Sequence, residues 1–214
     1  GCISEAAYYI ESDGIAAIID PLRDIEEYLD LAQERKAKIK YIFETHFHAD
    51  FVSGHLDLAA ATGATIIYGP DTETKLPVHI AKDGEQFTLG KIKIEVLHTP
   101  GHTLESSCFL LKDENGKDHA VFTGDTLFVG DVGRPDLAQK ANEITMEDLA
   151  GMMYESLKNK IIVLADDVTV KLADDFARRE RLQRSGQPEH IRARKLSSER
   201  VELPVKARKK CLKC

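Results

Sequence analysis

Three short segments of this 214-residue chain carry side chains that bind metal ions: His46-Phe47-His48-Ala49-Asp50, Pro100-Gly101-His102 and Gly124-Asp125. Neutral imidazole and carboxylate are the oxygen and nitrogen donors that zinc and iron accept. Alternate residues of an extended segment project to one side, so His46 and His48 can converge on one point. Gly101 and Gly124 permit tight turns beside an ion, where a side chain would crowd it. Taken singly, each motif has a mundane reading: a pair of packing histidines, a turn, the end of a strand. Found together, each after a β-rich segment, they predict one metal site.

The elements that must position these loops read as an α/β layer architecture. Ile15–Asp20 predicts a short buried strand. Residues 24–39 predict an amphipathic helix, with Asp24 as N-cap, Glu27 three residues on, and Ile25, Tyr28, Leu29, Ala32 and Ile39 on one face. Tyr41–Glu44 is an apolar strand running into His46. A second helix is expected at about 54–62, stopped by Gly63, then a strand at 65–68 ended by Gly69-Pro70. The alternation in Lys91–Leu97 marks a half-buried strand leading to His102. Strands at 107–112 and 119–123 flank the turn signal Asn115-Gly116, and the second ends at Gly124-Asp125. Residues 145–158 predict a helix opened by a Thr145–Asp148 capping box, followed by a strand at 161–164.

Composition bounds the class. Hydrophobic residues make up 43% and charged residues 30%, as in ordinary globular chains, and the length supports a sizeable core. No run of about 18 apolar residues predicts a membrane span. Gly1–Glu5 lacks a basic stretch followed by an apolar one, so a cytoplasmic protein without a secretory signal is expected; the missing initiator methionine suggests a fragment or a trimmed chain. The four cysteines, at 2, 108, 211 and 214, form no disulfide framework. Cys108 reads as a core thiol, and His55, His79, His98 and His119 as structural or exposed. Charge divides unevenly: residues 171–214 carry a net +8, against −15 for residues 1–170.

The stretches Glu44–Leu58, Leu97–Leu111 and Val121–Ala138 resemble the metal motifs of the metallo-β-lactamase superfamily, and are similar to bacterial persulfide dioxygenases related to glyoxalase II. The similarity covers most of residues 2–170. It implies a four-layer αββα sandwich with the site at one edge, between the sheets. In the superfamily's hydrolases a second metal takes the aspartate of the first motif, the residue after it as a histidine, and a later histidine in a GHG-like turn. Here Phe51 follows Asp50, and the only histidine after Asp125 is His190. The resemblance therefore implies one Fe(II) held by His46, His102 and Asp125, with His48 either a further ligand or an orienting neighbour, and Asp50 either a residue behind the ligands or a vestige of the second site. Two imidazoles and one carboxylate form the facial arrangement of non-haem iron oxygenases. The implied activity oxidises glutathione persulfide with O2 to sulfite and glutathione. Arg134 is a candidate clamp for a glutathione carboxylate, with a loop contact to Asp136 as the alternative reading. A zinc thioester hydrolase resembling glyoxalase II, and an inactive metal-binding remnant, stand as competing readings. The resemblance leaves room for a homodimer and for a separate rhodanese partner.

Residues 171–214 depart from the family. Asp166–Val170 resembles its last strand, but the expected histidine turn is replaced by Lys171-Leu172-Ala173-Asp174-Asp175 and an arginine-rich stretch. A poorly ordered basic tail, arising from a shifted reading frame or a recombined end, is the expectation. Neither Cys211-x-x-Cys214 nor the basic charge carries a recognisable zinc or nucleic-acid motif.

Overall fold

The computed structural model describes residues 6–128, 130–138 and 144–172. Two five-stranded sheets face one another. The first contains β1 (Tyr8–Ser12), β2 (Ile15–Ile19), β3 (Lys38–Phe43), β4 (Thr65–Tyr68) and β5 (His79–Ile80), side by side in that order. Only β1 and β2 are antiparallel, joined by Asp13-Gly14; both turn residues have positive φ (53° and 73°), as a two-residue hairpin requires. The parallel pairs β2–β3 and β3–β4 are bridged by helices α1 (Glu26–Arg35) and α2 (His55–Thr62).

The second sheet contains β6 (Gln86–Leu89), β7 (Ile92–His98), β8 (Ser107–Lys112), β9 (Asp118–Phe122) and β12 (Thr169–Lys171), with β12 beside β9 at the edge. Between β9 and β12 lie the small hairpin β10 (Leu127–Phe128) and β11 (Asp131–Val132), then α3 (Met146–Ser156).

Burial explains the layering. In β8 and β9, Phe109, Leu111 and Phe122 point inward to meet Phe43 and Ile67 of the first sheet, while Cys108, Leu110 and Val121 point outward against Ile161 and Val168. Such strands are covered on both faces and read as continuous apolar runs. The outer face of the first sheet packs Ile18, Ile42 and Ile66 against Tyr28, Leu31 and Leu58 of its helices. The order is helix, sheet, sheet, helix, as expected.

Several boundaries differ from the sequence reading. The first helix starts at Glu26 without a side-chain cap, and ends where Lys36 turns left-handed (φ 55°). Ile39, expected on its apolar face, instead lies in β3, where it pairs with β2. Its helical spacing is coincidental, and sheet pairing decides its place. The capping box at Thr145 and Asp148 is present, and Gly63 ends α2 with φ 71°. The strand expected at 161–164 does not form. The chain continues from α3 into a π-type turn over Leu157–Ile161, which leaves Ile162 75% and Val163 67% exposed. Strands β1, β5 and β6 were not foreseen, being short or lying at sheet edges. The basic-tail reading falls, beyond Leu172, outside the described residues.

Candidate metal centre

The three motif loops leave β3, β7 and β9, so one comes from the first sheet and two from the second. They are tied together where the sheets meet. The Ser107 N–H donates to the Thr45 carbonyl (2.8 Å), and the Phe47 N–H donates to Glu105 Oε1 (3.0 Å). Two glycines permit the close approach. A Cβ on Gly124 (φ 47°) would lie 2.5 Å from Thr45 Oγ1, and one on Gly101 (φ 145°) would lie 2.5 Å from Met153 Cβ.

His46, His102 and Asp125 come together. Asp125 Oδ2 lies 3.9 Å from His46 Nε2 and 3.5 Å from His102 Nε2, and the two imidazoles meet edge-on with centroids 4.9 Å apart. Donors sharing an ion at about 2.0–2.2 Å stand roughly 3–3.5 Å from one another, so the cluster fits a metal after a small contraction. The histidine side chains are 4% and 9% exposed, whereas Asp125 is 25% exposed, which leaves the cluster a solvent-facing side. Burial, together with the charges of His48 and His102, holds His46 well below the ordinary imidazole range, in the neutral form that ligates. Burial raises the Asp125 carboxyl; His102 and His48 oppose this, and Asp50 and Asp20 reinforce it.

His48 is not in this group. It stacks beside His46 (4.2 Å) but turns its Nε2 to Asp20 Oδ1 (3.1 Å) and Glu44 Oε2 (3.4 Å). Asp20, Glu44 and His48 form a second cluster of potential ligands. Glu44 is wholly buried and accepts a hydrogen bond from Ser53 Oγ (2.6 Å). Burial pushes its carboxyl up to about 7 despite its bond with His48. Burial alone would lower His48, but the charges and hydrogen bonds of Asp20 and Glu44 outweigh it and push the imidazole up to about 11. Phe51 packs its ring on His48 at 4.3 Å. Asp50 is exposed and belongs to neither group.

Arg134 contributes through its backbone. Its guanidinium, 70% exposed, forms a forked pair with Asp136 (3.0 and 2.6 Å), the loop contact rather than a free anion clamp. Its carbonyl accepts a hydrogen bond from His102 Nδ1 (3.0 Å). Gly133 makes this possible, because a Cβ there would lie 2.0 Å from the Asp125 carbonyl oxygen. Cys108 is fully buried against Thr99, and burial raises its thiol to about 11, as suits a core residue.

Sequence reasoning passed over Asp20, Glu44, Thr45 and the Arg134 carbonyl. The signal for the first two was present: an acidic residue at the end of an otherwise apolar strand, in Ile15–Asp20 and again in Tyr41–Glu44. A carboxylate so placed needs a buried partner.

Residues 1–170 match the profile of the Metallo-beta-lactamase superfamily. A cytoplasmic hydroxyacylglutathione hydrolase of Arabidopsis thaliana is 34% identical over 161 residues, covering 73% of this chain and 58% of that protein. The chain thus spans less than two thirds of that relative. A metallo-beta-lactamase structure from Staphylococcus aureus superposes with TM-score 0.72 at 37% identity, covering 79% of this chain and 52% of that one. The structure of ETHE1 from Myxococcus xanthus superposes with TM-score 0.69 at 29% identity, covering 81% and 72%. Among the described residues no helix is long and apolar enough to cross a membrane.

Proposed function

This chain belongs to the metallo-beta-lactamase superfamily, and within it we propose that it is a single-iron persulfide dioxygenase acting on glutathione persulfide. The observation that carries this reading is the fate of the second metal position. Phe51 stands where a second-site imidazole would be needed, and its ring lies on His48, which faces Asp20 and Glu44 instead of the cluster. What remains is two imidazoles and one carboxylate, the ligand set suited to Fe(II) and O2.

Bound there, iron would supply the redox chemistry that brings O2 and a sulfur nucleophile together. The chain's own residues do the rest. His46 offers a neutral nitrogen, Asp125 contributes the charge that partly balances a divalent ion, and the buried rings keep water from one side. The reaction balances as glutathione persulfide plus O2 plus water giving glutathione, sulfite and two protons. The terminal sulfur is oxidised and both oxygen atoms are reduced, and the sulfur–sulfur bond breaks with the electron pair going to the glutathione thiolate.

The similarity to a hydroxyacylglutathione hydrolase favours a second reading, a zinc thioester hydrolase in which metal-activated water attacks a carbonyl. Metal analysis of the purified protein, combined with O2 uptake on glutathione persulfide and S-lactoylglutathione hydrolysis, separates the two. Iron with stoichiometric O2 uptake is expected. Zinc with thioester hydrolysis and no O2 uptake would overturn the dioxygenase reading.

A further inference from the structure

We propose that Asp20 and Thr45 are positioning residues that hold His46 in the one tautomer able to receive a metal, before any metal arrives. The inference rests on the metal-site reading of His46, and stands whichever reaction the site performs.

Counting protons fixes the direction of each hydrogen bond around Thr45. Thr45 Oγ1 lies 2.9 Å from Asp20 Oδ2 and 3.0 Å from His46 Nδ1. The Thr45 backbone N–H donates to the other oxygen of the same carboxylate, Asp20 Oδ1, at 2.8 Å. With His48 Nε2 also on Oδ1, three donor atoms converge on Asp20, so this carboxylate accepts throughout. The single hydroxyl proton of Thr45 is therefore committed to Asp20. Towards His46 the hydroxyl can only accept, so Nδ1 carries the ring proton and Nε2 keeps its lone pair. That Nε2 is the atom facing Asp125. The same result is reached independently on the second loop, where a backbone carbonyl, an obligate acceptor, sits at His102 Nδ1.

Two further features show that the fold is built around this relay. Asp20 is a non-glycine residue with φ 49°, a left-handed conformation that persists only where surroundings hold it. Here the carboxylate bonds to Thr45 and the Asp20 N–H bonds to the Phe43 carbonyl (2.9 Å). Gly124 leaves no room beside Thr45 for any side chain, so the loop bearing Asp125 is pressed on the residue that orients His46. Thr45 thus links the first ligand to the third.

The test is nitrogen NMR on metal-free protein labelled with 15N-histidine, alongside Co2+ titration followed by visible absorption. In the wild-type protein His46 and His102 should both show a protonated Nδ1 and an unprotonated Nε2. Thr45→Val should release His46 into a mixture of tautomers, leave His102 unchanged, and weaken Co2+ binding by about ten- to a hundredfold. Thr45→Ser, which keeps the hydroxyl, should restore both readouts. Asp20→Asn is isosteric and presents an amide N–H to Thr45. It should free the hydroxyl to donate to His46 and switch that ring to the Nε2-protonated form. An unprotonated Nδ1 on His46 in the wild-type protein overturns the proposal without any variant. So does a Thr45→Val protein that keeps both tautomer and affinity. Neither result depends on turnover, so failure of the dioxygenase reading would leave this one standing.

Discussion

The molecule holds two groups of histidine and carboxylate side by side, and they are built for opposite ends. In His46, His102 and Asp125 the ring protons point outward to acceptors and the free nitrogens face one another across a partly exposed carboxylate. In Asp20, Glu44 and His48 the imidazole Nε2 is already engaged between two carboxylates, and the Phe51 ring lies against the imidazole. Side-chain chemistry alone does not separate them, since each has three residues of the right type within reach of a common point. The direction of the protons does. A cluster whose donors are spent outward is open to a cation, whereas one that spends a proton inward is a buried ion pair that the fold depends on.

Asp125→Asn should give the largest effect. Removing the charge should weaken divalent metal binding by more than the roughly hundredfold that losing a hydrogen-bond partner behind a ligand costs. Because burial already disfavours the ionised Asp125, the metal-free variant should be as stable as the wild-type protein or more so. Metal titration and thermal unfolding of the same samples check both halves, and a large loss of metal-free stability would break the distinction.

Glu44→Ala should do the reverse. It removes one of the two carboxylates at His48 and one of the two acceptors of Ser53, leaving Asp20 and the Pro21 carbonyl in place, at a cost of about 1–3 kcal/mol in unfolding free energy. Denaturant titration of the metal-free protein measures this. A loss below about 1 kcal/mol would mean the second group is not structural.

Phe51→His sharpens the comparison by changing its boundary. An imidazole beside Asp50 should raise zinc content above one ion per chain. The lost ring contact with His48 should lower stability by about 1 kcal/mol. Unchanged metal content would show that Phe51 is not what limits the site to one ion.

The smallest expected effect is on pH dependence. The His48 imidazole is raised from 6.5 to about 11 and the Glu44 carboxyl from 4.5 to about 7. A raised group contributes stability that is complete below its unfolded value and is lost as pH climbs through its folded value. The stability advantage of metal-free wild-type protein over His48→Gln should therefore be greatest near pH 5 and shrink towards alkaline pH. An advantage that grows with pH would contradict the charge state assigned to the pair.

The sequence made the layer order and the ligand-bearing loops legible, because strand patterns, glycine positions and the Thr145–Asp148 box are local features. It misled at Ile39, where an accidental helical spacing gave way to pairing between β2 and β3. It misled again at Ile161–Leu164, where an apolar run reads as a strand but pairs with no strand among the described residues. Arg134 shows the same limit, since residue type drew attention to a guanidinium while the contact with His102 is made by its carbonyl.

What the sequence determined by itself is the trio of candidate ligands His46, His102 and Asp125, since each sits where a strand must end beside a tight turn. Only the tertiary structure decided which way His48 faces and which nitrogen of His46 is free. Both depend on Asp20, at the end of a different strand and 25 positions from Thr45. A hydrogen bond's direction is set by whatever the fold places at its far end, and no spacing within one loop records that.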